Sequence, residues 1–239
     1  HKKIDISNRE HVEKIFKNFK PNKVINLAAQ AGVRFSLKNP YAYIDSNITG
    51  FINLIEISQK NNVNGFIYAS SSSVYGGNKK LPFSESDMTS DPISLYGASK
   101  KSNELIANSY SSLYGLNTTG LRYFTVYGPW GRPDMAYFIF TKKILAGEPI
   151  KVYNNGKMKR DFTFIDDIVL GTKSAIEKNY KCEIFNLGNN KNEKLLDLIK
   201  VLENELSKEA IIKFLPMEPG DIIETYANID KSIEKLNYN

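Results

Sequence analysis

The chain of 239 residues has one cysteine, Cys182, two histidines and one tryptophan. A single thiol excludes an intrachain disulfide and any multi-cysteine metal site. His1 and His11 have no His or Cys partner at ligand spacing, so His11 reads as a solvated helix residue and no metal is expected. No apolar run approaches the ~18 residues of a membrane span, and no signal peptide is visible. A cytoplasmic protein is therefore expected. With hydrophobic residues at 41% and charged residues at 24%, the chain is not mainly disordered. Its length allows one to two domains and a core that needs no covalent staple.

What the sequence does have is basic charge. Lys and Arg number 32 against 26 Asp and Glu, a net +6. That suits an anionic partner. The basic residues are interleaved with acids and form no arm or stripe, which favours a phosphorylated metabolite over nucleic acid.

Strand and helix patterns alternate along the chain. Ser7-Asn8-Arg9-Glu10 reads as a capping box with Ser7 as cap. Val12, Ile15, Phe16 and Phe19 then fall on one helical face. Val24–Ala28 reads as a buried parallel strand. Helix from Pro40, strand over Phe66–Ser70, a Gly/Pro/Ser-rich loop from Gly76 to Asp91, helix over Ser94–Leu113 and strand over Thr118–Phe124 follow. This order predicts an α/β fold, a Rossmann-like doubly wound parallel sheet. Its ligand should lie at the carboxyl ends of the strands, just after Leu27, Ser70 and Tyr123. After Gly128 the pattern is less regular, with segments Ala136–Ala146, Ile150–Tyr153, Ile184–Leu187, Leu195–Leu206 and Ile211–Phe214. Residues 1–128 are read as the cofactor domain. Residues 129–239 are read mainly as a smaller mixed α/β lobe, with possible returns of the chain to the sheet.

Tyr96-Gly97-Ala98-Ser99-Lys100 places a phenol and an ammonium four apart near a helix start, hence on one face. Ionising a phenol of pKa ≈ 10 at neutral pH costs about 4 kcal/mol. An ammonium ~4 Å away at an effective dielectric near 20 supplies roughly that much. The pair can serve as a general base; an ordinary surface Tyr and Lys is the other reading. Ser70-Ser71-Ser72-Ser73 follows a strand. Those hydroxyls can donate to a substrate oxygen, or simply close a serine turn.

Together these segments resemble the extended short-chain dehydrogenase/reductase superfamily, in its sugar-nucleotide epimerase/dehydratase branch. The resemblance runs over essentially the whole chain. It is carried by Val24–Ala29, Tyr68–Gly76, Tyr96–Lys100, Leu121–Pro129 and Arg160–Asp167. It implies NAD as cofactor and a triad of Ser71, Tyr96 and Lys100. It places Asp5 and Ile6 by the adenine, and Leu27, Ala28 and Ala29 along the pyrophosphate and ribose. Ser46 and Asn47 would lie by the nicotinamide half, Lys100 on its ribose, and Tyr123 and Phe124 on its flanks. For Leu27–Ala29, plain strand packing is the alternative. The family pattern opens with a glycine-rich turn before the point corresponding to Asp5 and continues past residues 236–239, so a longer parent protein is expected.

Within this branch, 4,6-dehydratases place Asp-Glu after the triad Thr. This chain has Ser72 and Ser73 there, which cannot act as strong acid or base. Those two serines are read as substrate contacts of an epimerase. Gln30–Arg34, Phe124–Ala136 and Asn154–Phe162 most resemble UDP-glucuronate 4-epimerases. The resemblance implies that Thr125 and Arg132 hold the sugar carboxylate, that Arg160 clamps the diphosphate and that Asp221 contacts the nucleoside. A surface loop cation is the other reading of Arg132. Val152-Tyr153 reads as a uracil stack or as core. The reaction expected is NAD-dependent C4 epimerisation of UDP-glucuronate to UDP-galacturonate through a 4-keto intermediate, an isomerase step of polysaccharide biosynthesis. Rival readings are a 4-epimerase of UDP-glucose or UDP-N-acetylhexosamine, or a non-catalytic nucleotide-binding fragment. A homodimer through the helices at Pro40–Gln59 and Ser94–Leu113 is expected.

Overall fold

A computed structural model describes residues 2–238; His1 and Asn239 lie outside the described residues. In chain order its main elements are α1 (Arg9–Phe19), β1 (Lys23–Asn26), α2 (Val33–Lys38), α3 (Pro40–Tyr43), α4 (Gly50–Lys60), β2 (Gly65–Ser71) and α5 (Leu95–Tyr114). They continue with β3 (Thr118–Tyr123), β4 (Thr125–Tyr127), α6 (Ala136–Ala146), β5 (Ile150–Val152), β6 (Lys159–Arg160), β7 (Phe162–Phe164), α7 (Ile165–Lys178) and β8 (Cys182–Leu187). The last are β9 (Glu193–Lys194), α8 (Leu195–Leu206), β10 (Ile212–Phe214), β11 (Glu224–Thr225) and α9 (Asp230–Leu236).

The principal sheet runs β1-β2-β3-β8, with every neighbour parallel. Parallel strands need crossover connections and helices on both faces. Successive side chains of β2 show it: Phe66 and Tyr68 pack with Phe51, Ile55, Ala107 and Leu116 of the α4–α5 side. Ile67 points the other way, into a cluster with Leu121, Phe185, Ile168 and Leu236 of the α7–α9 side. A separate apolar cluster joins α6 and α8 to β5 through Phe140, Ile144, Ile150, Val152 and Ile199. Strand β8, whose sequence falls in the less regular half, pairs with β3 in the principal sheet.

Two local expectations are corrected. Asn8, not Ser7, caps α1: its side chain accepts from His11 N at 3.0 Å, while Ser7 is held to Asp5. Strand β1 is not buried throughout. It is an edge strand whose Ile25 is 45% exposed. The helix from Pro40 also departs from regularity, with a π-helical stretch over Ile44–Thr49. Such wide turns cluster at functional sites.

Candidate active site

The carboxyl ends of β1, β2 and β3 converge on the start of α5. Ser94 caps that helix, its hydroxyl accepting from Gly97 N at 3.0 Å. A Cβ on Gly97 would sit 2.5 Å from the Ser73 carbonyl oxygen. Glycine alone lets the helix approach the turn at Ser72–Tyr75 this closely. Tyr96 and Lys100 therefore stand over the end of β2, where buried Ser71 accepts from Ser73 N. The hydroxyls of Ser72 and Ser73 lie half-buried beside them and take no hydrogen-bond partner among the described residues.

Burial pushes the Tyr96 phenol above its ordinary value; a Ser71 hydrogen bond and the Arg132 charge pull it back. Lys100 is 4% exposed, and burial pulls its ammonium down to about 8. Its Nζ donates to the Ala69 carbonyl at 2.7 Å, its one protein acceptor among the described residues. A buried ammonium carries three donors, so two remain for a ligand. The main chain after β1 is held beside this point by Asn47. Its amide donates to Gln30 O and Ser99 Oγ, and its oxygen accepts from Gln30 N.

These features fit the dinucleotide assigned by resemblance in part. Leu27 and Ala28 are exposed just beyond β1, so strand packing is not their role. Ala29 and Ser46 are half-buried in the same region. Lys100 has free donors. Asp5 lies exposed and is engaged by Ser7 N and Oγ, and Ile6 packs with the α1 cluster. Tyr123 bonds Thr172 Oγ1 through its hydroxyl, and Phe124 is buried in the α7–α9 core. The last two are thus core side chains first.

A cavity of about 710 Å³ opens between the loop after β1 and the α6–α8 region. Four of the residues expected to bind substrate line it together: Thr125, Arg132, Arg160 and Asp221. Ser71, Tyr96 and Lys100 lie outside this lining. Tyr43 bridges the two, its ring 6.1 Å from that of Tyr96 and its hydroxyl donating to the carbonyl of Gly32, a lining residue. The lining carries Arg34, Lys38, Arg132, Lys143, Lys151 and Arg160 against Asp134 and Asp221. Arg160 donates to Lys159 O and Ile223 O, and burial lowers its pKa. No carboxylate bonds it among the described residues. Arg132, by contrast, is exposed and forks onto both oxygens of Asp134, at 2.9 and 3.0 Å.

Sequence reasoning gave no role to Arg34. Its guanidinium bonds Asp221 at 2.7 Å and lies 3.8 Å over the Tyr153 ring. Tyr153 is therefore a cavity-wall platform, while Val152 is core. The partners are 187 positions apart in Arg34 and Asp221; no local pattern could have paired them.

The NAD dependent epimerase/dehydratase family model matches residues 1–188. The chain belongs to this family. It is 52% identical to an uncharacterized protein of Methanocaldococcus jannaschii over 236 residues, covering 99% of this chain and 72% of that one. It is 47% identical to UDP-glucuronate 4-epimerase 4 of Arabidopsis thaliana over 252 residues, 98% of this chain and 58% of the plant protein. A crystal structure of UDP-glucuronic acid 4-epimerase from Bacillus cereus, in complex with UDP-glucuronic acid and NAD, superposes with a TM-score of 0.92. That match has 37% identity and covers 99% of this chain and 74% of the other. Membership of the epimerase/dehydratase family accords with the parallel sheet of the fold. Among the described residues no helix is long and apolar enough to cross a membrane.

Proposed function

We propose that the chain is an NAD-dependent 4-epimerase of UDP-glucuronate. The observation that carries this reading is the cationic cavity whose half-buried Arg160 makes no hydrogen bond to a carboxylate among the described residues. A nucleoside diphosphate supplies the missing anion, and an Arg fork suits planar oxyanions. The named relatives and the bound ligands of the Bacillus structure support the same substrate.

When bound, NAD supplies hydride acceptance and return at C4 of the sugar. The chain supplies the rest. Tyr96 takes the 4-hydroxyl proton and gives it back to the same oxygen after the keto sugar turns to present its other face. Ser71 holds the sugar oxygen and the Tyr96 hydroxyl in one plane. Lys100, with donors to spare, lends positive charge that the phenol needs to ionise against its burial. Ser72 and Ser73 hold the sugar without acid or base strength. Thr125 and Arg132 grip the carboxylate. Oxidation at C4 makes a β-keto acid, which loses CO2 when its carboxylate bond aligns with the carbonyl. Arg132 keeps that bond out of alignment.

Tyr96→Phe should lower kcat by about 10²–10⁴-fold, the usual range for a lost general base, with UDP-glucuronate binding retained in calorimetry. Equal kcat/KM for UDP-glucuronate and UDP-glucose would instead favour a neutral-sugar epimerase. Undetectable turnover of any UDP sugar by the NAD-loaded protein would favour the binding-only reading. The homodimer is proposed through α3–α4 and α5, on whose surfaces Tyr41, Ile44, Leu105 and Leu113 are exposed.

A further inference from the structure

Three consecutive residues of β2 meet three side chains of one α5 face. Tyr96, Lys100 and Glu104 recur every four positions and so share that face. Ser71 is the side chain that draws the Tyr96 phenol's pKa back down against its burial. Lys100 Nζ donates to Ala69 O. Between these two lies Ser70, whose hydroxyl donates to Glu104 Oε1 at 2.7 Å. Ser70 and Glu104 are 2% and 3% exposed, so no water or ligand competes for this bond.

Glu104 is itself fixed. Arg122 of β3 forks onto its two oxygens at 2.8 and 2.9 Å. Arg122 also donates to the Tyr75 hydroxyl, which donates to Asn186 Oδ1 of β8. Lys101 reaches the outer Glu104 oxygen at 3.2 Å. The carboxylate is thus tied to three strands of the sheet, and its pKa is lowered: burial raises it, but Arg122, Ser70 and Lys101 outweigh that. The proposed proton transfer uses none of these groups.

We propose that Ser70 and Glu104 are positioning residues. They clamp the end of β2 to α5 so that the Ala69 carbonyl and the Ser71 hydroxyl stand in register with Lys100 and Tyr96. The reason is mechanical. Ser70 is the residue joined by peptide bonds to both Ala69 and Ser71, and its side chain is the tie from that peptide segment to the catalytic helix. The strand end is already paired to β3 through Ser71; without the Ser70 tie, α5 could slide over it and carry Lys100 and Tyr96 out of line with their partners. A misplacement of 1 Å at a reacting centre costs on the order of 10²-fold in rate. The proposal rests on the assignment of Tyr96, Ser71 and Lys100 above.

The test is Ser70→Ala beside Ser70→Thr and Tyr96→Phe in the NAD-loaded enzyme. Ser70→Ala keeps the Glu104–Arg122 pair, so the fold should survive. We expect kcat to fall about tenfold or more, KM and the calorimetric Kd for UDP-glucuronate to stay within twofold, and Tm to move by no more than a few degrees. Ser70→Thr, which restores the hydroxyl, should recover most of the rate. The proposal is overturned if Ser70→Ala keeps kcat within twofold of the parent. It is equally overturned if the loss appears in KM or Tm, or if threonine does not rescue. Should Ser70→Ala lose soluble protein, Ser70→Cys provides the same comparison, because a thiol is a far weaker donor to Glu104; a lowered kcat at unchanged KM is expected there, and parental kcat overturns the clamp. Full activity in Tyr96→Phe would fail the underlying assignment instead, whatever Ser70 does.

Discussion

Lys100 is a charge held where charge is disfavoured. Its pKa, depressed from 10.5 to about 8 by burial, means that the folded state binds fewer protons than the unfolded state between those values. Stability contributed by this group therefore rises with pH from about 8 to 10.5 and is at its minimum below 8. The shift corresponds to about 3 kcal/mol at most. Lys100→Met should accordingly gain most in Tm relative to the parent near pH 7, and the gain should shrink as pH climbs toward 10.5. A difference independent of pH, read by thermal unfolding at several pH values, would refute a buried titrating ammonium. Arg132 poses the opposite case. It is exposed and bound to Asp134, and such pairs contribute about 0–1 kcal/mol, so a substrate carboxylate can displace Asp134 at small cost. Arg132→Ala should raise KM for UDP-glucuronate about tenfold or more and release a decarboxylated pentose product. Chromatography showing no such product, with epimerisation intact, would end the alignment role. The pairing of Tyr96 with Lys100 was suggested by a local signal, a four-residue helical spacing, whereas Ser71 was assigned from the family resemblance; the fold sets all three beside the end of β2. Arg34 and Glu104 were not legible in the sequence, since their partners come from distant strands and loops.

At the scale of elements, the legible parts are those set by local periodicity. The helix expected over Ser94–Leu113 is found over Leu95–Tyr114 because Ser94 is a capping residue and Gly115 takes the left-handed conformation that ends it. The strand expected at Val24–Ala28 stops at Asn26 and sits at an edge. A short apolar run cannot say how many neighbours a strand has. Nor could composition show that β8 returns to the principal sheet, although such a return was allowed for. The choice of cap between Ser7 and Asn8 turned on which oxygen Asp5 had already engaged. The Glu104–Arg122 pair that joins α5 to β3 was missed for a related reason: an acid on a helix reads as solvated until a strand arginine is seen beneath it. Breaking a buried pair costs about 3–5 kcal/mol. Arg122→Met should lose stability of that order in urea unfolding, whereas Glu104→Met with Arg122→Met should lose less, because no lone carboxylate is left inside. Equal losses would mean that the pair is packing alone.

For the molecule as a whole, the +6 charge is concentrated in function at one cavity, where six basic side chains face two acidic ones. Exposed Leu105 and Leu113 of α5 lie apart from it. Leu105→Asp should therefore convert the proposed dimer to monomer in light scattering while leaving UDP affinity within about twofold; a mass unchanged by the substitution would point to another interface. The cavity has one more consequence. Arg160 is a half-buried guanidinium whose hydrogen-bond partners among the described residues are carbonyls and a sulfur. The folded chain bears the desolvation cost of that side chain until an anion arrives. Stability and ligand occupancy are then two readings of one quantity. A nucleotide that binds only the folded state adds about 2.7 kcal/mol at a hundredfold excess over its Kd. The protein should thus melt at a temperature set by the UDP around it, and Arg160→Met should melt higher than the parent without nucleotide yet gain little from its addition.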